Sequence, residues 1–218
     1  TINTGGTPAY HWSNGNTTIW LPAGGNGNIP AFTAINTGDF PVTATIEVFA
    51  FFENDGTTCD GPSKTFTITV NPGGKVDKPA DMVLCHEEWS NPVFFTSPNF
   101  GGTITYAWTN SHPEINLPPS GIGNIASFQA QNEGSSPVVA TIEVTPTFSF
   151  NNLSCEGQPM TFTITVNPRG QVDQPDNYFV CHTDYTPEII FNTGNSGGTT
   201  TYAWSNNMPV IGLPSSGT

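Results

Sequence analysis

The chain repeats itself with a period of 96 residues, so whatever it folds into is one unit built more than once. TFTITVNP at Thr65–Pro72 returns at Thr161–Pro168, an offset of 161 − 65 = 96. YHWSN at Tyr10–Asn14 returns as YAWTN at Tyr106–Asn110 and as YAWSN at Tyr202–Asn206, at the same offset. GNGNIPAF at Gly25–Phe32 matches GIGNIASF at Gly121–Phe128, and ATIEV at Ala44–Val48 matches Ala140–Val144. Cys59 aligns with Cys155, and Cys85 with Cys181. The period is the size of a small domain, not of one solenoid turn. It divides the chain into residues 1–72, an N-terminally incomplete copy, residues 76–168, a complete copy, and residues 172–218, a C-terminally incomplete one. The chain therefore reads as a window on a longer array. Alone, its incomplete copies would expose apolar surface, unless neighbouring chains complete them by strand addition.

Within a copy the hydrophobic pattern has period 2. Phe66, Ile68 and Val70 alternate with Thr65, Thr67 and Thr69, and Val42, Ala44, Ile46 and Val48 alternate with Thr43, Thr45 and Glu47. Such alternation marks strands with one buried face. Further strands are expected at Met82–His86, Val93–Thr96, Ile104–Trp108, Ile125–Ala130 and Val138–Thr145, with turns at Asn99–Gly102, Pro118–Gly121 and Asn132–Gly134. No segment carries helical periodicity with caps. Six or seven short strands at spacings of about 8–12 residues predict an all-β fold of tandem antiparallel β-sandwiches. Trp12, Trp108 and Trp204 occupy one repeated strand position, where a large ring fills the space between sheets. The junctions NPGGKVD (Asn71–Asp77) and NPRGQVD (Asn167–Asp173) are short, and Pro72 and Pro79 stiffen the first.

Charge excludes whole classes of function. Four Lys or Arg stand against 17 Asp or Glu, a net charge of −13. No basic footprint for nucleic acid can be assembled, and anionic lipid headgroups are disfavoured partners. No apolar run reaches the length of a membrane span, so membrane insertion is not expected. Fifteen Phe, five Trp and five Tyr are too many for a disordered tail.

The string YAWTN, GIGNIASF, ATIEVTP, Cys-x-Gly and TFTITVNP resembles the PKD-like, immunoglobulin-fold repeats of Bacteroidetes surface and secreted proteins. The resemblance covers essentially the whole chain in three registers. It implies Ig-like sandwiches in long extracellular or cell-surface arrays with structural or adhesive roles, and no shared catalytic residues. A C-terminal sorting domain is not among the residues present.

Four cysteines without a Cys-x-x-Cys do not suggest zinc. Their spacing allows Cys59–Cys85 or Cys85–Cys155. In an Ig-like sandwich the first and last strands are neighbours, with the loop before the last strand at the pole where the first strand enters. Cys59 would lie about 30 Å from Cys85, beyond the roughly 7 Å that a bridge spans between Cα atoms. The expected disulfide is therefore Cys85–Cys155, with the partners of Cys59 and Cys181 beyond this segment, in an oxidising compartment.

No catalytic constellation is present: no nucleophile elbow, metalloprotease helix, phosphate loop or EF-hand. His86 and His182 repeat as a structural position, and Glu87 and Glu88 become Thr183 and Asp184 in the next copy. Asp77 and Asp173 recur at the junctions and are weak candidates for calcium. No other metal or cofactor is expected. Asn16 and Asn152 are the Asn-x-Ser/Thr acceptors for glycosylation. Trp20, Trp89 and Tyr185 are candidates for stacking on glycans, because the repeat does not demand Trp at those places. The sequence thus predicts a non-catalytic structural module of an extracellular fibre, stalk or adhesin, whose partners are its own neighbours. The alternative is a carbohydrate-binding accessory of a secreted polysaccharide-degrading protein.

Overall fold

The computed structural model describes residues 7–218. Among them the chain is nearly all β. The first copy forms β1 (Thr7–Asn14), β2 (Gly24–Asn26), β3 (Val42–Asn54), β4 (Thr57–Asp60) and β5 (Lys64–Val70). The second forms β6 (Met82–Cys85), β7 (Thr103–Asn110), β8 (Ser120–Ile122), β9 (Val138–Phe150), β10 (Leu153–Glu156) and β11 (Met160–Asn167). The third contributes β12 (Trp204–Ser205) and β13 (Ser216–Gly217). The first sheet runs β2-β1-β3-β4, with β5 also on β3, and the second runs β6-β11-β9-β7-β8, with β10 also on β9. β12 and β13 pair with each other. No helix is long and apolar enough to cross a membrane among these residues.

The alternation read from the sequence sets the buried faces. Ala44 and Ile46 on β3, and Ala140, Ile142 and Val144 on β9, are fully buried. Trp12 and Trp108 are core residues, at 3% and 7% exposure. Trp12 faces Gly25 across the β1–β2 pair, and a Cβ on that glycine would stand 2.7 Å from the indole. Trp204 faces Gly217 in the same way on β12 and β13. The indole therefore lies over a glycine on the neighbouring strand, which explains why the two types recur together. β3 and β9 outrun the expected strands because each continues into a hairpin. Their two-residue turns, Asp55-Gly56 and Asn151-Asn152, have positive φ at both residues, the geometry that matches strand twist. Val93–Thr96 and Ile125–Ala130, expected as strands, contribute only isolated bridges, Val93 to Ile125 and Trp89 to Gln129.

Two expectations are corrected. The sheets are not wholly antiparallel: β6 pairs with β11 in parallel, Met82 opposite Ile164 and Cys85 opposite Asn167. A chain that enters a copy at one end and leaves at the other runs its first and last strands the same way. The same register removes the Cys85–Cys155 disulfide. Cys85 sits at the exit end of β11, whereas Cys155 precedes the start of β11, and its carbonyl accepts from Gly74 N at 3.2 Å. β11 alone spans seven steps of about 3.3 Å, roughly 23 Å, far beyond bridging range. None of the four cysteines is bridged to another in this structure.

The described contacts divide into two compact units. One is Thr1–Lys78 with Phe95–Trp108 and Val144–Met160, and the other is Pro79–Phe94 with Thr109–Glu143 and Thr161–Thr218. These units cut across the copies, and each holds one junction entire.

Candidate functional site: the junctions between copies

Each junction is organised by one asparagine. In the first unit Asn99 Nδ2 donates to Gly73 O (3.4 Å) and Asp39 O (3.3 Å), and its Oδ1 accepts from Lys75 N (2.6 Å). Ser97 Oγ donates to Asn99 Oδ1 and accepts from Asn99 N, which fixes the side chain. In the second unit Asn195 Nδ2 donates to Arg169 O (3.0 Å) and Ser135 O (3.3 Å), and its Oδ1 accepts from Gln171 N (2.6 Å). Thr193 takes the part of Ser97. Every partner in the second set lies 96 residues beyond its counterpart: 39 and 135, 73 and 169, 75 and 171, 97 and 193. The backbone follows suit. Phe100 N donates to Asp39 O and Ser196 N to Ser135 O, while Asp77 N donates to Thr96 O and Asp173 N to Asn192 O. Gly101 and Gly197, both at positive φ, stand against Pro41 and Pro137. Asn99 and Asn195 were not singled out in the sequence. Their recurrence within the repeat was the signal available.

The first junction carries a second layer of contacts. Asn71 Nδ2 donates to Phe150 O (3.1 Å) and Leu153 O (3.4 Å), on the β9–β10 hairpin of the next copy. A Cβ on Gly74 would come within 2.5 Å of Pro146 O, and one on Gly157 would collide with Gly74 O, so two backbones touch where only glycine fits. Pro72, Gly74 and Val76 are buried, and Gly74 N donates to Cys155 O on this hairpin at 3.2 Å. Lys75 Nζ adds an ion pair to Asp39 at 2.6 Å, and the rings of Phe40 and Phe100 stack at 4.9 Å between centroids. Burial pushes the Tyr106 phenol up, a hydrogen bond with Ser97 opposes this, and the Asp77 carboxylate adds to the rise.

The predicted site residues fall in separate settings. Asp77 Oδ2 accepts from Thr96 Oγ1 at 2.7 Å, and Asp173 lies at the equivalent place in the second junction. No three His, Cys, Asp or Glu cluster to hold a metal among the described residues. The side chain of His86 is buried, its Nδ1 accepting from Asn132 N at 2.9 Å, which is a structural bond. Arg169 pairs with Glu87. Asn16 caps a short turn, accepting from Thr18 N and Thr18 Oγ1, whereas Asn152 is exposed at the β9–β10 tip. Trp20, Trp89 and Tyr185 are all exposed. Trp20 is unusual: it holds φ +68 at the end of the Thr17–Ile19 turn, where the other copies place Asn116 and Gly212. Left-handed backbone is costly for a bulky residue.

The edges of the two last strands differ. β11 carries β6 on its outer edge, and Phe162, Ile164 and Val166 are fully buried. β5 pairs only with β3 among the described residues, and Phe66, the counterpart of Phe162, is 45% exposed. In the third copy the counterpart of β6 is Tyr178–Cys181, which lies outside the strands, with Phe179 at 96% exposure. No known protein-family model and no curated protein matches this chain.

Proposed function

We propose that the chain is a non-catalytic structural module of an extracellular or cell-surface fibre, stalk or adhesin, built from tandem PKD-like, Ig-like sandwiches. One observation carries this reading: two successive junctions use the same hydrogen bonds at the same 96-residue offset. A joint specified by backbone and asparagine contacts resists swinging, and a repeated joint propagates one geometry from copy to copy. That is what a load-bearing or spacing element needs, whereas an enzyme has no use for it. The acidic surface suits such a role by limiting lateral clumping. Cryo-electron microscopy of the native material tests it. Filaments with a spacing of one or two 96-residue copies are expected, and isolated compact particles would defeat the reading.

The strained, exposed Trp20 favours a second reading, a carbohydrate-binding accessory module. Strain held at an exposed aromatic is what a stacking platform would retain. Saturable glycan-array binding that is lost in both Trp20→Ala and Trp89→Ala would establish it over the structural reading.

A further inference from the structure

We infer that the second junction carries a proton switch: uptake of a proton by the buried His86 unlatches the 132–136 turn and loosens the joint that this turn holds. The His86 side chain is 4% exposed, and its Nδ1 accepts from Asn132 N at 2.9 Å. A neutral imidazole has one acceptor nitrogen and one N–H, so this bond places the ring's proton on Nε2. There it faces two carboxylates, Glu133 Oε1 at 3.7 Å and Glu87 Oε1 at 3.8 Å. Of the other charged groups nearby, Arg169, beyond β11, is paired with Glu87, and Glu88 Oε2 accepts from Cys85 N at 2.8 Å. The two edges of the ring therefore make opposite demands. The Asn132 bond needs a neutral imidazole, while the carboxylates attract a positive one.

A proton taken from solvent can enter the ring only at Nδ1, because Nε2 already carries one. It turns Nδ1 from acceptor into donor and sets two N–H groups against each other. The consequence reaches the joint through Asn132. Its Nδ2 donates to Val166 O (2.7 Å) and Ser136 O (2.8 Å), and its Oδ1 accepts from Gly134 N (3.0 Å), so this one residue shapes the turn. Within the same turn, Ser135 O accepts from Asn195 Nδ2 at 3.3 Å and from Ser196 N at 2.8 Å. Gly134 O accepts from Gln171 Nε2 at 3.5 Å. These ties of the second junction thus end on a turn that the imidazole props. The backbone of His86 is itself fixed, its N donating to Asn167 O at 2.9 Å, so the turn is the part that yields. Acidification from about pH 8 to about pH 5 crosses the range in which an imidazole ordinarily takes up its proton. The joint is then firm at neutral pH and released in acid.

This rests on the structural-module reading for its purpose, since a spacing element gains a joint that can be released, but its test is separate. Amide exchange of the full chain is followed from about pH 8 to about pH 5, expressed as protection factors that remove the intrinsic pH dependence of exchange. Heteronuclear NMR of the imidazole nitrogens follows the ring, which should be the Nε2–H tautomer at the upper end. Protection at Asn132 and Ser196 should fall about tenfold as the ring titrates, the loss of roughly one hydrogen bond. Phe100, which donates to Asp39 O at the first junction, is the internal control and should keep its protection. His86→Asn, whose Oδ1 can take the place of Nδ1 and accept at every pH, should make both amides insensitive to acid. Glu133→Gln changes a side chain that is 87% exposed and leaves the core alone. It should move the midpoint of the fall to lower pH, because one carboxylate facing Nε2 is gone. Constant protection at Asn132 and Ser196, an equal fall at Phe100, or a fall that persists in His86→Asn would overturn the inference. An unmoved midpoint in Glu133→Gln would do the same. Compact particles in place of filaments under the microscope would defeat the functional reading and leave the switch standing.

Discussion

At the scale of single residues, the joint between copies depends on asparagine because no other side chain donates and accepts in one plane at that length. Asn99 holds two carbonyls from one side and a backbone N–H from the other. Asn99→Ala leaves these groups to water or unpaired, and is expected to cost about 1–3 kcal/mol in urea unfolding. Asn99→Asp should cost at least as much, because a carboxylate would face the carbonyls of Gly73 and Asp39. An unchanged midpoint for both variants would show that the joint does not contribute to stability. Trp20 argues in the opposite direction. Its left-handed backbone suits the glycine and asparagine found at Gly212 and Asn116, so Trp20→Gly should stabilise the fold by about 1 kcal/mol. Thermal unfolding checks this, and a fall in stability would mean that the indole packs more tightly than its 67% exposure suggests.

At the scale of elements, the worth of a strand depends on what lies at its edge. β5 and β11 share the sequence TFTITV, yet Phe162 is 1% exposed and Phe66 is 45% exposed. Phe162→Ala should cost about 3–5 kcal/mol, and Phe66→Ala less than half as much, measured by denaturant unfolding of each variant. Equal costs would mean that the β5 edge is covered. The strands themselves were legible in the sequence because alternation reports burial directly, as in Val42–Val48. The glycine facing Trp12 was not, since cross-strand register has no local trace. The cysteine pairing was misjudged for a related reason: spacing tells how far apart two cysteines lie along the chain, but not at which end of a strand each one stands. Only the parallel register of β6 on β11 supplies that. The junction asparagines lay open in the repeat, but among many polar loop residues nothing marked them until their partners were known.

At the scale of the whole molecule, the repeated sequence does not confer equal stability on its three copies. Local opening is easiest where apolar contacts are few and backbone hydrogen bonds face water. The second copy has its first strand, its last strand and a fully buried row of Ala140, Ile142, Val144, Phe162, Ile164 and Val166. The first copy buries Trp12, Ile19, Leu21, Ala44 and Ile46, and its β5 pairs only with β3 among the described residues. Among the described residues the third copy forms the β12–β13 pair and a short turn at Pro209–Ile211, with Ile211 and Leu213 exposed where their counterparts Ile115 and Leu117 are buried. Native-state amide exchange should therefore run in the order third copy fastest, first copy intermediate and second copy slowest, with the slowest amides on β9 and β11. Because the amide of Gly74 donates to Cys155 O on the β9–β10 hairpin, it should exchange with the second copy's slow set and not with the first copy's. If Gly74 instead exchanged with β5, the hairpin would be opening independently of the copy it belongs to, and the joint would be a hinge.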